Sequence, residues 1–178
     1  FDPKTVNYLF ITHAHIDHVG LVPKLYRDGF RGKVFATEPT KDLMGLVLED
    51  SQKILEKEFR KKGGDVMYSR KDVEESLKLI KAVKYSRKRK LEEGINFRFN
   101  DAGHMLGSAI IEIWAENKKI VFSGDLGNAP SPLLSPPAKI KDADYVLVES
   151  TYGDKIHENK EERKGAFENV IEETYRGR

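Results

Sequence analysis

His13, His15, Asp17 and His18 fall within six positions, directly after the apolar run Tyr8-Leu9-Phe10-Ile11-Thr12. A stretch of apolar and aromatic residues of that length reads as a buried strand. In extended chain, residues two apart share a face, so His13 and His15 converge on one point. Asp17 and His18 follow as the chain turns. Zinc takes imidazole nitrogen and carboxylate oxygen at about 2 Å, and this cluster offers both on a short tether. The bland alternative is a set of solvated loop histidines, or core histidines each satisfied by a backbone partner. No packing need gathers such groups at one strand end, so the chemistry indicated is metal binding.

Two later stretches extend the set. Asp101-Ala102-Gly103-His104 follows one strand and Ser123-Gly124-Asp125-Leu126-Gly127 follows another. Each puts a ligand-type residue in a glycine-containing turn, where backbone can approach a metal closely. A lone histidine after a strand is more often structural. Beside the first cluster, His104 and Asp125 become ligand candidates, and four of the five histidines then belong to one site.

The elements that must position these groups can be read in order. Gly20 to Asp28 predicts a short helix, with Pro23 tolerated in its first turn and Gly29 ending it. Lys33 to Ala36 is a brief strand. Thr37 and Pro39 open a longer helix, with Leu43, Val47, Ile54, Leu55 and Phe59 near one face and Lys61 to Gly64 stopping it. Ser69 and Asp72 start another, in which Val73, Leu77 and Ile80 recur at helical spacing. Ile95, Phe97 and Phe99 alternate as a strand. Ala109 to Ala115 and Ile120 to Phe122 are strands joined by an Asn117-Lys118 turn. Residues 128 to 137 hold four of the seven prolines and must be a loop. Tyr145 to Val148 reads as a buried strand, and Phe167, Val170, Ile171 and Tyr175 form one stripe of a final helix. Strands with flanking helices indicate layered α/β packing.

Composition narrows the function. At 178 residues the chain suits one domain with a sizeable core. The absence of cysteine excludes disulfides and thiolate ligands. No apolar run approaches the roughly 20 residues of a membrane span and no signal pattern opens the chain, so cytoplasmic is the expectation. Net charge is only +2, but residues 51–100 carry 15 Lys/Arg against 8 Asp/Glu. The densest part, Lys84-Tyr-Ser-Arg-Lys-Arg-Lys90, suits phosphate contacts with Tyr85 stacking on a base; a solvated loop is the commoner fate of a charge run.

The series His13-x-His15-x-Asp17-His18, then His104, then Asp125 resembles the metal motifs of the metallo-β-lactamase superfamily. Glu149-Ser150-Thr151-Tyr152-Gly153 is similar to a hallmark of its β-CASP subgroup of metal-dependent nucleases, as are Gly103 to Ala109 and the proline-containing loop from Leu126 to Pro137. The resemblance implies an α/β fold, the αββα metallo-β-lactamase sandwich. It would be partial here, lacking the first strands, most of the β-CASP cap and the C-terminal segment. Residues 1–158 would be the N-terminal part of the metallo-β-lactamase domain and 159–178 the lead helix toward the cap.

Carried over by resemblance, His13, His15 and His104 hold one Zn2+, Asp17 and His18 the other, and Asp125 bridges the two. The family's last histidine would lie beyond residue 178, and His157 comes too early to replace it. Catalytic roles fall to Asp17 and Glu149, the latter orienting a ligand or a proton donor. The implied activity is a ribonuclease of RNA processing or decay, hydrolysing phosphodiesters through a metal-activated hydroxide. The acid of the hallmark resembles the RNA branch when it is Glu and the DNA branch when it is Asp. Partners implied are single-stranded RNA and either a homodimer mate or processing-complex subunits. The alternatives are a small-molecule hydrolase of the superfamily, or a non-catalytic RNA-processing subunit.

Overall fold

The computed structural model describes residues 1–128, 131–155 and 162–177; His157 lies outside them. After a single 3-10 turn at Pro3–Thr5, β1 (Tyr8–Phe10) leads to α1 (Ile16–Val19) and α2 (Val22–Arg27), then β2 (Lys33–Thr37). The long α3 (Glu38–Lys62) and α4 (Arg70–Lys78) precede β3 (Ile80–Val83). These three strands pair in parallel in the order β1-β2-β3. Parallel neighbours need crossovers, which the helices supply. Second come β4 (Arg89–Glu92), β5 (Ile95–Asp101), β6 (Ala109–Ala115), β7 (Lys118–Phe122) and β8 (Tyr145–Leu147), ordered β4-β5-β6-β7-β8. All those pairings are antiparallel except β7 with β8. The last element is α5 (Glu162–Arg176).

The sheets meet face to face through aromatic side chains. Phe10 and Phe35 from the first pack on Phe97 and Phe99 from the second, with ring centroids 4.8 to 6.3 Å apart. Each such pair contributes about 0.5–1.5 kcal/mol beyond its buried area. On the outer side of the first sheet, Val19, Val22, Met44, Leu48 and Val73 close a helix-covered core. On the outer side of the second, Ile110 and Val121 are covered by Leu126 and Ile140 of a loop segment. No helix of the described residues joins that cluster, so the fold is a partial α/β sandwich.

Caps set the helix limits as the sequence indicates. The Thr37 side chain accepts from the Thr40 N–H, and Gly63, at φ 70°, ends α3. Ser69 and Asp72 form a reciprocal capping box on α4. Several expectations shift. The packed face of α3 centres on Met44 and Leu48, both fully buried, while Ile54 is 52% exposed. Ile80 starts β3 instead of continuing α4, because α4 ends at Lys78 and Ile80 pairs with Val34. The β6–β7 turn sits one residue early, on Glu116 and Asn117, both at positive φ. Two positive values match the right-handed twist of a tight hairpin. The strand over Tyr145 to Leu147 forms, but it is not buried: its side chains are more than half exposed. It is the edge strand beyond β7, and nothing among the described residues closes over it. The apolar stripe of α5 is likewise exposed.

Candidate metal centre

Both sheets send their site residues to one end of the sandwich. The backbone N–H of Ala109, at the start of β6, donates to the Thr12 carbonyl at 2.7 Å, stitching the sheets together beside His13. From β1 the chain stays extended through His15, the N-cap residue of α1. His13 Nε2 and His15 Nδ1 approach to 3.0 Å, as the two-residue spacing requires. His104 arrives from the β5–β6 loop, with Nε2 at 3.2 Å from His15 Nδ1. That loop is held by the Ser108 hydroxyl, which accepts from the N–H groups of His104 and Met105. The Gly107 carbonyl accepts from the hydroxyls of Thr37 and Thr40, tying the loop to the start of α3.

Asp125 follows β7 and reaches both groups of ligands. Its Oδ2 is 3.6 Å from His13 Nε2 and 3.6 Å from His104 Nε2, and its Oδ1 is 3.3 Å from His18 Nε2. His18 Nε2 is in turn 3.6 Å from Asp17 Oδ2. One atom each from His13, His15, His104 and Asp125 lie within 4.8 Å of one another. Donors around a tetrahedral zinc with bonds of about 2.05 Å stand about 3.3 Å apart. The separations of 3.0, 3.2 and 3.6 Å bracket that value, and three imidazole nitrogens with one carboxylate oxygen are a zinc donor set. The residues fit such an ion.

Electrostatics favour the same use. Burial, then the nearby His18, lowers the His13 pKa to about 4, so its ring is neutral at pH 7 and offers a lone pair. Thr12 Oγ1 lies 3.1 Å from His13 Nδ1, placed to take the ring N–H and leave Nε2 for a cation.

Among the described residues, Glu149 contacts no histidine through hydrogen bonds or ion pairs. Its Oε1 accepts from the Leu126 N–H at 2.5 Å, and its own N–H donates to Ser123 Oγ at 3.0 Å. It therefore braces the turn that carries Asp125. Thr12, Thr37, Thr40 and Ser108 escaped the sequence reading as supports of the site. Thr37 had a signal as a helix cap, and Ser108 lies within the Gly103 to Ala109 motif. Two clefts open here: one of about 450 Å³ passes His104, Asn128 and Tyr152, and one of about 670 Å³ passes Thr12, His18 and Leu147. Asp125 and Glu149 line both.

Two facing sheets with ligand residues from both at one edge define a class, and the chain belongs to it: the metallo-β-lactamase superfamily, whose domain model matches residues 3–142. Among curated relatives it is 40% identical to a ribonuclease of Thermus thermophilus, over 98% of this chain and 38% of that protein. It is 34% identical to the transcription termination factor FttA of Methanococcus maripaludis, over 98% of this chain and 28% of that protein. With subunit 3 of the cleavage and polyadenylation specificity factor of Dictyostelium discoideum it shares 32% identity, over 96% and 22%. The chain thus spans well under half the length of these relatives. They accord with the β-CASP subgroup indicated by the Glu149 motif. A mutant metallo-β-lactamase of Cronobacter sakazakii matches at TM-score 0.50 and 17% identity, over 75% of this chain and 46% of that one, which concerns the fold alone.

Proposed function

We propose that the full-length protein is a zinc-dependent ribonuclease hydrolysing RNA phosphodiester bonds. His13, His15, His104 and Asp125 would hold one zinc; Asp17, His18 and Asp125 would hold the other. The observation that carries this reading is the Asp125 carboxylate, with one oxygen toward His13 and His104 and the other toward His18. A group shared in that way suits two cations about 3.5–4 Å apart, the spacing of two-metal phosphodiester chemistry. Bound there, the ions would activate water at neutral pH and offset charge on the phosphate.

The chain's own residues orient that chemistry. Thr12 fixes the His13 ring, and Glu149 holds the Asp125 turn through the Leu126 N–H. Asp17, whose side chain is 74% exposed, is the ligand candidate open to an incoming water and can orient it. The clefts on the His104 and His18 sides give the RNA room to lie across the centre. The relatives' names favour RNA as substrate, as does Glu as the acid of the hallmark. On this reading the catalytic domain would run to residue 158, a boundary outside the described residues, and α5 would be part of the lead helix toward the cap.

The test is cleavage of matched single-stranded RNA and DNA by the full-length protein with zinc present. RNA should be cut to 5′-phosphate and 3′-hydroxyl ends. DNA cleavage at an equal or higher rate would overturn the choice of substrate. His15→Ala should remove both metal and activity, and an active, metal-replete variant would refute the ligand set.

A further inference from the structure

The basic run from Lys84 to Lys90 takes no part in the metal centre, yet it begins beside it. The Tyr85 hydroxyl donates to the Ser108 carbonyl at 2.7 Å, and the Ser86 N–H donates to the Phe99 carbonyl at 2.7 Å. Ser108 is the residue whose hydroxyl holds the His104 backbone. Tyr85 is thus a half-buried tether and not a stacking platform for a base, which corrects the sequence reading. From this anchor the chain enters β4, where Arg89 pairs with Phe97 and Lys90 with Asn96, farther along the sheet. Residues 84–88 form a turn and loop that lead into β4, which runs away from the metal end.

Five cations lie on it, Lys84, Arg87, Lys88, Arg89 and Lys90, with no acid between them, and all are exposed. None forms an ion pair among the described residues, whereas helix cations pair with acids a turn away, as in Arg60–Glu56, Arg70–Glu74 and Lys78–Glu75. Lys88 Nζ lies 4.3 Å from the centre of the Trp114 ring on β6, two strands in from the edge, which brings an aromatic surface within reach of the run. Lysines do blunt sheet edges against unwanted pairing. One or two suffice for that, and four in succession add mutual repulsion that an edge does not need. A polyanion lying along them removes the repulsion.

We propose that β4 and the turn before it form a phosphate track that holds single-stranded RNA as it runs from the metal centre, with Lys84 nearest the centre and Lys90 and Trp114 farthest. This rests on the reading of the protein as a ribonuclease. The track recognises backbone charge and is indifferent to sequence, since lysine and arginine on an open edge meet phosphates and no base edge.

The test uses the full-length protein with single-stranded oligouridylates of roughly 4 and roughly 16 nucleotides, the range of single-strand site sizes. Cleavage and fluorescence-anisotropy binding are followed across a series of KCl concentrations. The longer RNA should show the lower KM and the steeper salt dependence. Replacing Arg87, Lys88, Arg89 and Lys90 together by Gln should bring the two KM values together. It should also flatten the plot of log Kd against log salt by about 3, four contacts at about 0.7 each. The exchanged set, Arg→Lys at 87 and 89 and Lys→Arg at 88 and 90, should keep both effects. An unchanged slope and length ratio in the Gln variant would overturn the track. A wild-type protein that binds the longer RNA but cleaves neither overturns the ribonuclease reading, and the binding slope then still decides the track. Displacement of RNA by polyglutamate as effectively as by polyuridylate at equal charge would assign the run to an acidic protein partner and overturn the proposal.

Discussion

Gly127→Ala should disable the metal centre without replacing a ligand. Gly127 lies two residues after Asp125 and its N–H donates to the Ala102 carbonyl at 2.8 Å, so the Asp125 and His104 loops are in backbone contact here. A Cβ at this position would meet the Gly103 carbonyl oxygen at 1.7 Å, its carbon at 2.1 Å and the His104 nitrogen at 2.8 Å. All three are backbone atoms, so no side chain can swing aside. Relief to a contact of 3.0 Å requires the loops to part by about 1.3 Å. His104 Nε2 and Asp125 Oδ2, now 3.6 Å apart, sit directly on the two separating segments. Metal–ligand bonds, about 2 Å for a zinc ion, would not stretch to follow such a shift. A misplacement of about 1 Å costs on the order of a hundredfold in rate, and overpacking costs about 1–3 kcal/mol of stability. Bound metal would be measured by elemental analysis after dialysis and by chelator competition, alongside cleavage rate. Metal affinity and rate within twofold of the parent would refute the claim that this contact sets the geometry.

Gly45→Ala is the opposite case: its Cβ meets nothing within 4 Å on α3, so it should raise stability in urea by about 0.5–1 kcal/mol. Glu112→Gln should destabilise by about 3–5 kcal/mol, because Glu112 is fully buried and accepts from Arg98 at 2.5 Å and Asn100 at 2.7 Å while Lys119 lies at 2.5 Å; an unchanged urea midpoint would refute it. For the same group, burial alone would raise the pKa, but hydrogen bonds from Arg98, Lys119 and Asn100 outweigh it and leave the carboxyl below its usual value. Its stabilisation is therefore complete above the ordinary carboxylate range and is lost as pH falls through the lowered folded pKa; the parent should lose more stability on acidification than Glu112→Gln does.

The meeting of His13, His15, His104 and Asp125 was legible because each stands at a strand end, and strand ends on one side of a sandwich share an edge. Strand β6 was legible to the residue, since Ala109 to Ala115 follows Gly107-Ser108 and ends at a hairpin turn. The roles of Glu149 and Tyr85 were not. Each acts on a backbone group 23 positions away, through the Leu126 N–H and the Ser108 carbonyl, and such a bond leaves no periodic trace in sequence. The packed face of α3 was misjudged by part of a turn, because Leu43, Met44, Val47 and Leu48 supply apolar residues on two adjoining faces and only tertiary packing selects one. The exposure of β8 was invisible for a related reason: an apolar strand reads as buried whether or not anything covers it.

The ligand candidates are divided between two sheets, and His15 and His104 stand 89 positions apart in the chain. Neither sheet alone holds a complete set, so a growing polypeptide has no centre to offer until Asp125 has been made and the sheets have closed. Contacts of such long range carry a loop-closure cost that slows folding. A metal ion held there would join residues of both sheets, so its binding free energy would act as a clamp across the sandwich. Removing such an ion should loosen one sheet against the other at this end first.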